Sequence, residues 1–185
     1  DRSLSSLLAA TIPGSGSISR GLVTFNGESP LFITGTNTTT QVLSFDGTAW
    51  RVTCDSQAGD VCPPAHPNSL LATQTASGAL VYDGQDGSTW TWDRTQWTEF
   101  PGASPPPRTG ASLMFDIARG TALLFGGSQN IDVPTNELFE FDGATWSELH
   151  PLVTPSPRAS PGATTASDGG AFLVGGLIVV HRAFM

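Results

Sequence analysis

The fold of this chain is decided by one short stretch of sequence, Phe139-Glu140-Phe141-Asp142-Gly143-Ala144-Thr145-Trp146. The stretch has an apolar residue, a polar residue, an aromatic residue, Asp, three turn residues and then Trp. The same order occurs twice earlier, in Leu43-Ser44-Phe45-Asp46-Gly47-Thr48-Ala49-Trp50 and Trp90-Thr91-Trp92-Asp93-Arg94-Thr95-Gln96-Trp97. The three aspartates are 47 residues apart (93 − 46) and 49 residues apart (142 − 93), so the chain contains an internal repeat.

Each copy of this stretch predicts a β-hairpin. Alternating apolar and polar side chains make a strand with one buried face. The Asp carboxylate then accepts hydrogen bonds from turn amides, and Gly accepts the positive φ that the turn requires. In the second copy Arg94 stands in the place of Gly, and we expect that turn to differ in detail.

A second pattern precedes each hairpin and predicts two further strands. The first strand is led by Arg, and the second is short, apolar and ends at Gly. The clearest copy runs from Pro107 to Phe115 and continues from Thr121 to Gly127. Short apolar strands that end at Gly fit a crowded interior where one backbone approaches another. The other copies are Ser19 to Gly35, Asn68 to Gly84, where Asn68 replaces the Arg, and Pro157 to Gly176.

Four strands in a unit of about 50 residues resemble the kelch repeat, which carries a Gly-Gly pair after its second strand and a spaced aromatic and Trp later. The resemblance covers the chain from Ser17 to Gly176, although the first unit has Gly35-Thr36 and the second has Asp83-Gly84 in place of Gly-Gly. It implies an all-β fold, a kelch-type β-propeller of about four four-stranded antiparallel blades. It implies no particular function, because such propellers host many.

The repeat gives the expected domain boundaries. Residues 17–66, 67–106 and 107–156 form blades 1 to 3, and residues 157–185 form an incomplete blade 4. Residues 1–16 are the end of a preceding blade or a closing strand. Kelch propellers commonly have six or seven blades, so three interpretations are open. The chain is part of a larger propeller, or two chains complete one ring, or Ser3 to Ala10 closes a four-bladed ring. We favour the first two, because an open arc leaves bare strand edges.

Composition excludes several classes of function. The net charge is −8 and the chain has no Lys, so a nucleic-acid partner is not expected. The longest apolar run, Ala171 to Val180, is too short to span a membrane. Arg2 to Leu8 is too short and too polar for a signal peptide. An exported form would therefore have lost its leader or would begin inside a longer precursor.

The two cysteines, Cys54 and Cys62, lie close together in a polar stretch. A pair at this spacing could close a small disulfide ring, which would indicate an extracytoplasmic or secreted protein. The alternative is two unrelated thiols. Two Cys with no adjacent His make a poor zinc site, so we expect no metal.

The candidate ligand-binding residues are those that lead the first strand of each unit: Arg20, Asn68, Arg108 and Arg158. The kelch resemblance implies that this strand lies nearest the central channel, which would place a ring of Arg around one opening. Such a ring could bind carboxylates or phosphates bidentately. The alternative is that each Arg donates hydrogen bonds to carbonyls of the loop before it.

No catalytic residue and no cofactor is expected in this chain. The repeated Asp residues read as turn formers and the repeated Trp residues as packing groups, because each recurs once in every unit. The acidic loop Asp83 to Ser88 lacks the spacing of a calcium loop and reads as a tight turn. Some kelch propellers are copper-radical oxidases that need tyrosine ligands, whereas this chain has one Tyr, Tyr82. His66, His150 and His181 lack metal-ligand or triad spacing.

We therefore expect a non-catalytic binding or scaffolding module that recognises a protein or a carbohydrate through loops at one propeller face. The loops Asn37 to Gln41, Cys54 to Pro67 and Gly127 to Asn136 differ in length and sequence, as binding loops on a rigid scaffold do. Two alternatives stay open. One is a fragment of a propeller enzyme whose catalytic groups lie outside this chain. The other is a structural protein that self-assembles as a homo-oligomer through exposed blade edges.

Overall fold

The structure is a computed structural model, and it describes residues 21–25, 29–35, 38–64, 66, 69–130, 133–165 and 169–178. Within these residues the regular structure is β-strand, apart from one 3-10 turn at Ser56–Ala58. The expectation of an all-β chain is confirmed for the described residues. No helix in this part of the chain is long and apolar enough to cross a membrane.

The strands form four antiparallel sheets. The first contains β1 (Gly21–Phe25), β2 (Pro30–Gly35), β3 (Thr40–Phe45) and β4 (Trp50–Asp55), and the second contains β5 (Leu70–Gln74), β6 (Ala79–Asp83), β7 (Thr89–Trp92) and β8 (Trp97–Glu99). The third contains β9 (Thr109–Asp116), β10 (Thr121–Asn130), a short β11 (Val133–Pro134), β12 (Leu138–Phe141) and β13 (Trp146–Leu149), and the fourth contains β14 (Gly162–Thr165) and β15 (Ala171–Val174). In each sheet, strands that follow one another in sequence are neighbours, except that β12 pairs with β10 rather than with β11.

The chain divides into two compact units. One consists of residues Asp1–Val81 and Thr89–Phe100, and the other of Tyr82–Ser88 and Pro101–Met185. We call them unit 1 and unit 2 and describe each by itself. Unit 1 includes the strands β1 to β5, β7 and β8, and unit 2 includes β9 to β15, with β6 divided between them.

The core of unit 1 forms because successive side chains of a strand point to opposite faces of its sheet. Leu31 and Ile33 lie on one face of β2 and pack with residues of the second sheet. Phe32, between them in sequence, lies in a separate cluster on the other face. The cluster shared by the two sheets contains Leu31, Ile33, Val42, Cys54, Leu70, Ala79, Val81, Trp92 and Trp97.

The repeated aromatic pair has the same geometry in each hairpin. The ring centroids are 5.3 Å apart for Phe45 and Trp50, 5.3 Å for Trp92 and Trp97, and 5.2 Å for Phe141 and Trp146. The first residue of each pair is buried. The predicted hairpins are therefore present, and their aromatic pairs share the same geometry.

The three aspartates form the same turn. Asp46 Oδ1 accepts hydrogen bonds from the amides of Thr48 and Ala49, at 2.8 and 2.9 Å. Asp93 and Asp142 make the corresponding pairs of bonds. The expectation that the Arg94 turn differs was wrong. Arg94 takes a φ of 77°, close to the 95° of Gly47, because the Asp93 bonds impose the same turn on a residue that seldom adopts it.

A first prediction concerns the titration of Asp46. Amide bonds from Ala49 and Thr48, and then the Arg51 side chain, lower the pKa of Asp46 from 3.8 to about 2. A carboxyl whose pKa is depressed in the folded state stabilises that state above its unfolded pKa, and this contribution is lost as the pH falls toward about 2. A carboxyl-detected NMR titration should give a midpoint near 2, and Asp46→Asn should lower the urea midpoint at neutral pH more than at pH 2. A titration midpoint near 3.8 would contradict the turn geometry.

A second prediction concerns the core of unit 1. Leu31 is fully buried between the first and second sheets. Leu31→Ala should destabilise the protein by about 2–5 kcal/mol, because it removes buried methyl groups and leaves a cavity. Chemical denaturation measures the change, with Ile117→Ala as the control, since Ile117 is 54% exposed and its truncation should change stability by less than about 0.5 kcal/mol. Equal effects of the two substitutions would show that the sheets do not pack through Leu31.

Candidate functional site

In each sheet the connections at one end of the strands differ from those at the other end. Because neighbouring strands are antiparallel, the first and third strands begin at the end of the sheet where the second and fourth strands finish. We call this end of the sheet the loop end and the opposite end the turn end. The turn end carries the Asp turns and the short links 75–78 and 117–120, whereas the loop end carries the connections 36–39, 56–69, 84–88, 100–108, 131–137 and 150–161.

All three loops that the sequence indicated as variable therefore lie at the loop ends of their sheets. The first joins β2 to β3, the second joins β4 to β5, and the third lies between β10 and β12. The antiparallel order of the strands is enough to put these loops at the same end of a sheet as the start of its first strand. Arg108 precedes β9 and Arg158 precedes β14, so these two predicted arginines lie at the loop end too.

Arg108 is fully buried at the loop end of the third sheet. Its Nε donates to the carbonyl of Pro106 at 3.1 Å, and its Nη1 donates to Gly126 O at 3.3 Å and to Glu137 Oε2 at 2.9 Å. The guanidinium also lies over the ring of Phe139, 4.7 Å from its centroid. Its Nη2 is buried and has no hydrogen-bond partner among the described residues.

Arg158 repeats this arrangement at the start of the fourth unit. Its Nε donates to Ser156 O at 3.0 Å, and its Nη1 donates to Gly175 O at 2.9 Å. Both arginines thus bond the carbonyl two residues earlier and the carbonyl of the first glycine of the Gly-Gly pair. Arg158 differs in being only partly buried, and its Nη2 donates to the Ser156 hydroxyl at 2.8 Å.

The arrangement explains the Gly-Gly pair of the third unit. Gly126 and Gly127 have φ values of 69° and 80°, a region that disfavours other residues. A Cβ on Gly126 would lie 2.5 Å from Arg158 O, and Gly127 N donates to that same carbonyl at 3.0 Å. The pair brings β10 against the segment that precedes β14, and no side chain fits between them.

The structure describes two of the four residues that the sequence predicted as ligand-binding. Arg108 and Arg158 occupy equivalent positions and donate to loop carbonyls, as the alternative interpretation expected. Arg20 and Asn68 lie outside the described residues. Ligand binding by these four positions stays a prediction.

One expectation about the second strands was wrong for the third sheet. β10 does not end at Gly127 but continues to Asn130 and pairs with β11. The extension is held by Thr135 N, which donates to Gly127 O at 2.8 Å, and by Gln129 Nε2, which donates to Glu137 Oε2 at 3.1 Å. We call the paired end of β10 and β11, residues Ser128 to Pro134, the ribbon. It extends the loop end of the third sheet, and the pattern of strands that end at Gly did not indicate it.

The connections at the loop ends of the sheets carry exposed aliphatic side chains. In unit 2, Leu152 is 105% exposed and Val153 is 86% exposed, and Val133 on the ribbon is 56% exposed. Asn136 Nδ2 donates to Thr154 Oγ1 at 3.0 Å, which ties the ribbon to the loop that carries Leu152 and Val153. The sequence analysis missed this pair. The available signal was two aliphatic residues between Pro151 and Pro155, where no strand can continue.

The long loop of unit 1 is closed by the predicted disulfide. Cys54 and Cys62 are bonded, with their Cα atoms 6.0 Å apart. Asp55 caps the 3-10 turn through Gln57 N at 2.9 Å and accepts from Gln41 Nε2 at 2.7 Å. The Gln41 bond and then the Gln57 amide lower the pKa of Asp55. The loop is thus anchored to β3 and β4.

Tyr82 has a structural environment. It is fully buried, and its hydroxyl donates to the carbonyls of Pro105 and Pro106, at 3.3 and 2.7 Å. Burial raises the pKa of Tyr82 to about 12. A neutral hydroxyl that bonds two carbonyls holds the segment before Arg108 in place.

Comparisons with known proteins bear on the fold alone. No protein-family model matches the chain, and no curated protein matches it in sequence. A solved structure titled "Structure of YjhT" aligns with a TM-score of 0.58 and 16% identity, covering 86% of this chain and 59% of that one. This chain therefore spans less than two thirds of that protein's length.

The fold is propeller-like. The alignment with YjhT and the recurrence of four-stranded antiparallel sheets agree on this. A second structure, a fungal alcohol oxidase of the AA5 family in complex with copper, aligns at a TM-score of 0.44 and 13% identity, covering 85% of this chain and 47% of that one.

A third prediction separates the two described arginines. Arg108→Met should destabilise the protein by about 2–4 kcal/mol, because the buried Gly126 carbonyl loses its bond from Arg108 and Glu137 loses its ion pair. Arg158→Met should cost less than about 1 kcal/mol, since water can replace a partly exposed guanidinium. Urea denaturation of the two variants measures the difference. Equal losses would show that burial does not distinguish them.

Proposed function

We propose that this chain is a kelch-type propeller segment that acts as a non-catalytic binding module and recognises a partner protein through the loop ends of its sheets. One observation carries the proposal. The Asp turns and the short links 75–78 and 117–120 lie at the turn ends of the sheets, whereas the three longest connections, 56–69, 100–108 and 150–161, lie at the loop ends and differ in length and sequence. Function in scaffolds of this kind concentrates on variable loops held by rigid strands.

A protein partner is favoured over a carbohydrate by the chemistry of the loops. Leu152, Val153 and Val133 in unit 2, and Val61 in unit 1, expose aliphatic side chains. Contiguous exposed apolar groups with a polar rim mark surfaces that bind proteins, and Leu152 and Val153 are adjacent in the chain. The loops that carry them are tied to the sheets by the Asn136–Thr154 hydrogen bond and the Cys54–Cys62 disulfide, which reduces the entropy lost on binding.

The arginines would serve this site in two ways. Arg108 holds the base of the ribbon through Gly126 and Glu137 and acts as a positioning residue. Arg158 is partly exposed at the same end of its strand, so it is the described arginine that could also bind an acidic group of the partner. Arg20 and Asn68 are proposed as candidate binding residues of unit 1.

The disulfide supports an extracytoplasmic location. Disulfides persist in oxidising compartments and are rare elsewhere. We propose that the protein works outside the cytoplasm, as part of a larger propeller or of a ring completed by oligomerisation. The 59% coverage of the YjhT structure agrees with a fold that continues beyond this chain.

A fourth prediction tests the loop end. Extracellular proteins captured by the wild-type chain should be lost with the double variant Leu152→Ser and Val153→Ser, because that change removes the exposed apolar contacts. Quantitative mass spectrometry of the captured fraction measures the loss, and calorimetry with a purified captured protein should show affinity reduced by at least about tenfold.

The matched control is Ile117→Ser, since Ile117 is an exposed aliphatic residue at the turn end of the third sheet. It should retain the partner. Loss with both variants, or with neither, would contradict recognition at the loop end. Binding to a glycan array without a protein partner would instead assign a carbohydrate.

A further inference from the structure

The connection between β13 and β14 contains a segment that lies outside the hydrogen-bonded sheets. Residues 151–157 belong to no strand or helix, and none of their backbone groups is hydrogen-bonded to another backbone group of the described residues. Proline at positions 151, 155 and 157 fixes φ and removes an N–H donor, which favours an extended chain. All of these residues except Thr154 are exposed, so the segment is accessible to another protein.

The Ser156 hydroxyl in this segment is used only as an acceptor. Its Oγ accepts a hydrogen bond from Arg158 Nη2 at 2.8 Å, and it donates to no described residue. Other hydroxyls of unit 2 use their protons, as in Thr165, whose Oγ1 donates to Phe115 O at 2.6 Å. A group that replaced the Ser156 proton would therefore break no hydrogen bond, because the oxygen would still accept from Arg158.

A second serine before a proline shows the opposite setting. Ser104 precedes Pro105 in the connection before β9, as Ser156 precedes Pro157 in the connection before β14. Ser104 is only partly exposed, and Pro105 is buried and accepts from the Tyr82 hydroxyl at 3.3 Å. Ser156 and Pro157 are both exposed. The two dipeptides are identical in sequence, and the structure leaves only the second of them open to an enzyme.

We propose that Ser156 is an O-glycosylation site. Its Oγ attacks the anomeric carbon of a sugar that is linked to a phosphate carrier, and the bond from that carbon to the phosphate oxygen breaks. The phosphate leaves with the electron pair of that bond, and the serine proton passes to a base of the glycosyltransferase. No group is oxidised or reduced in this step. Exposed Ser and Thr residues among prolines are typical of O-glycosylated segments.

A sugar is favoured over a phosphoryl group by the contacts of Arg158 and by the disulfide. Arg158 Nη1 donates to Gly175 O at 2.9 Å, and a neutral sugar leaves this bond intact, whereas a phosphoryl group would compete for the guanidinium. The Cys54–Cys62 bond indicates an oxidising compartment. The choice of a sugar therefore rests on the extracytoplasmic location proposed above, whereas the acceptor position rests on the geometry of unit 2.

Mass spectrometry of the protein isolated from the cells that produce it tests this proposal. The tryptic peptide Gly120–Arg158 should carry hexose or N-acetylhexosamine, and electron-transfer fragmentation should place the sugar on Ser156. The peptide Thr95–Arg108, which contains Ser104, should carry none. Ser156→Ala should abolish the modification of the first peptide, and Ser156→Thr should restore it because the hydroxyl is kept.

Ser104→Ala is the matched control, and it should leave the sugar in place. The proposal is overturned if the Gly120–Arg158 peptide is unmodified, if the sugar lies on Thr154 or equally on Ser104, or if a phosphatase removes the added mass. None of these readouts involves a partner protein. A glycosylated chain that captures no partner would contradict only the proposed function, and an unmodified chain that captures one would contradict only this inference.

Discussion

The structure depends on one packing interaction, the contact of an aromatic pair on one sheet with an apolar pair on the sheet before it. In unit 1, Trp92 and Trp97 close over Val42 and Cys54. The contact is available because each hairpin puts its two rings on the same face, about 5 Å apart. A sheet of four short strands has little core of its own, so its stability comes from such contacts with neighbouring copies.

The hairpins themselves are fixed by local hydrogen bonds. Each Asp accepts two turn amides, and this arrangement holds even where Arg94 must adopt a positive φ. The loop end is held differently, by guanidinium groups that bond carbonyls distant in sequence. Arg108 joins the segment before β9 to the Gly-Gly pair of β10, and Tyr82 bonds the Pro105 and Pro106 carbonyls of the same segment. Because these hydrogen bonds hold the strand ends in place, the connections at the loop end can differ in length and sequence without destabilising the sheets.

The loop that carries Leu152 and Val153 lies at the loop ends of the third and fourth sheets, where a partner protein can reach it. The Asn136–Thr154 hydrogen bond ties this loop to the segment that follows β11. The exposed apolar side chains are therefore carried by a loop that is attached to its sheet before a partner binds.

The sequence by itself determined the repeat, the strand order within each unit and the Asp turns, because these depend on residues close together in the chain. It indicated the Cys54–Cys62 bond as one of two alternatives, and the structure shows that the bond is present. It also indicated both uses of Arg108 and Arg158, but burial and carbonyl partners come from strands that only folding brings together. The extension of β10 beyond Gly127 was not predictable, because Gln129 and Thr135 hold it through contacts across a ribbon. The tertiary structure alone decided which apolar side chains are covered, since Leu138 and Val42 have the same place in the pattern, yet Val42 is buried in one cluster with Trp92 and Trp97 whereas Leu138 is only partly buried.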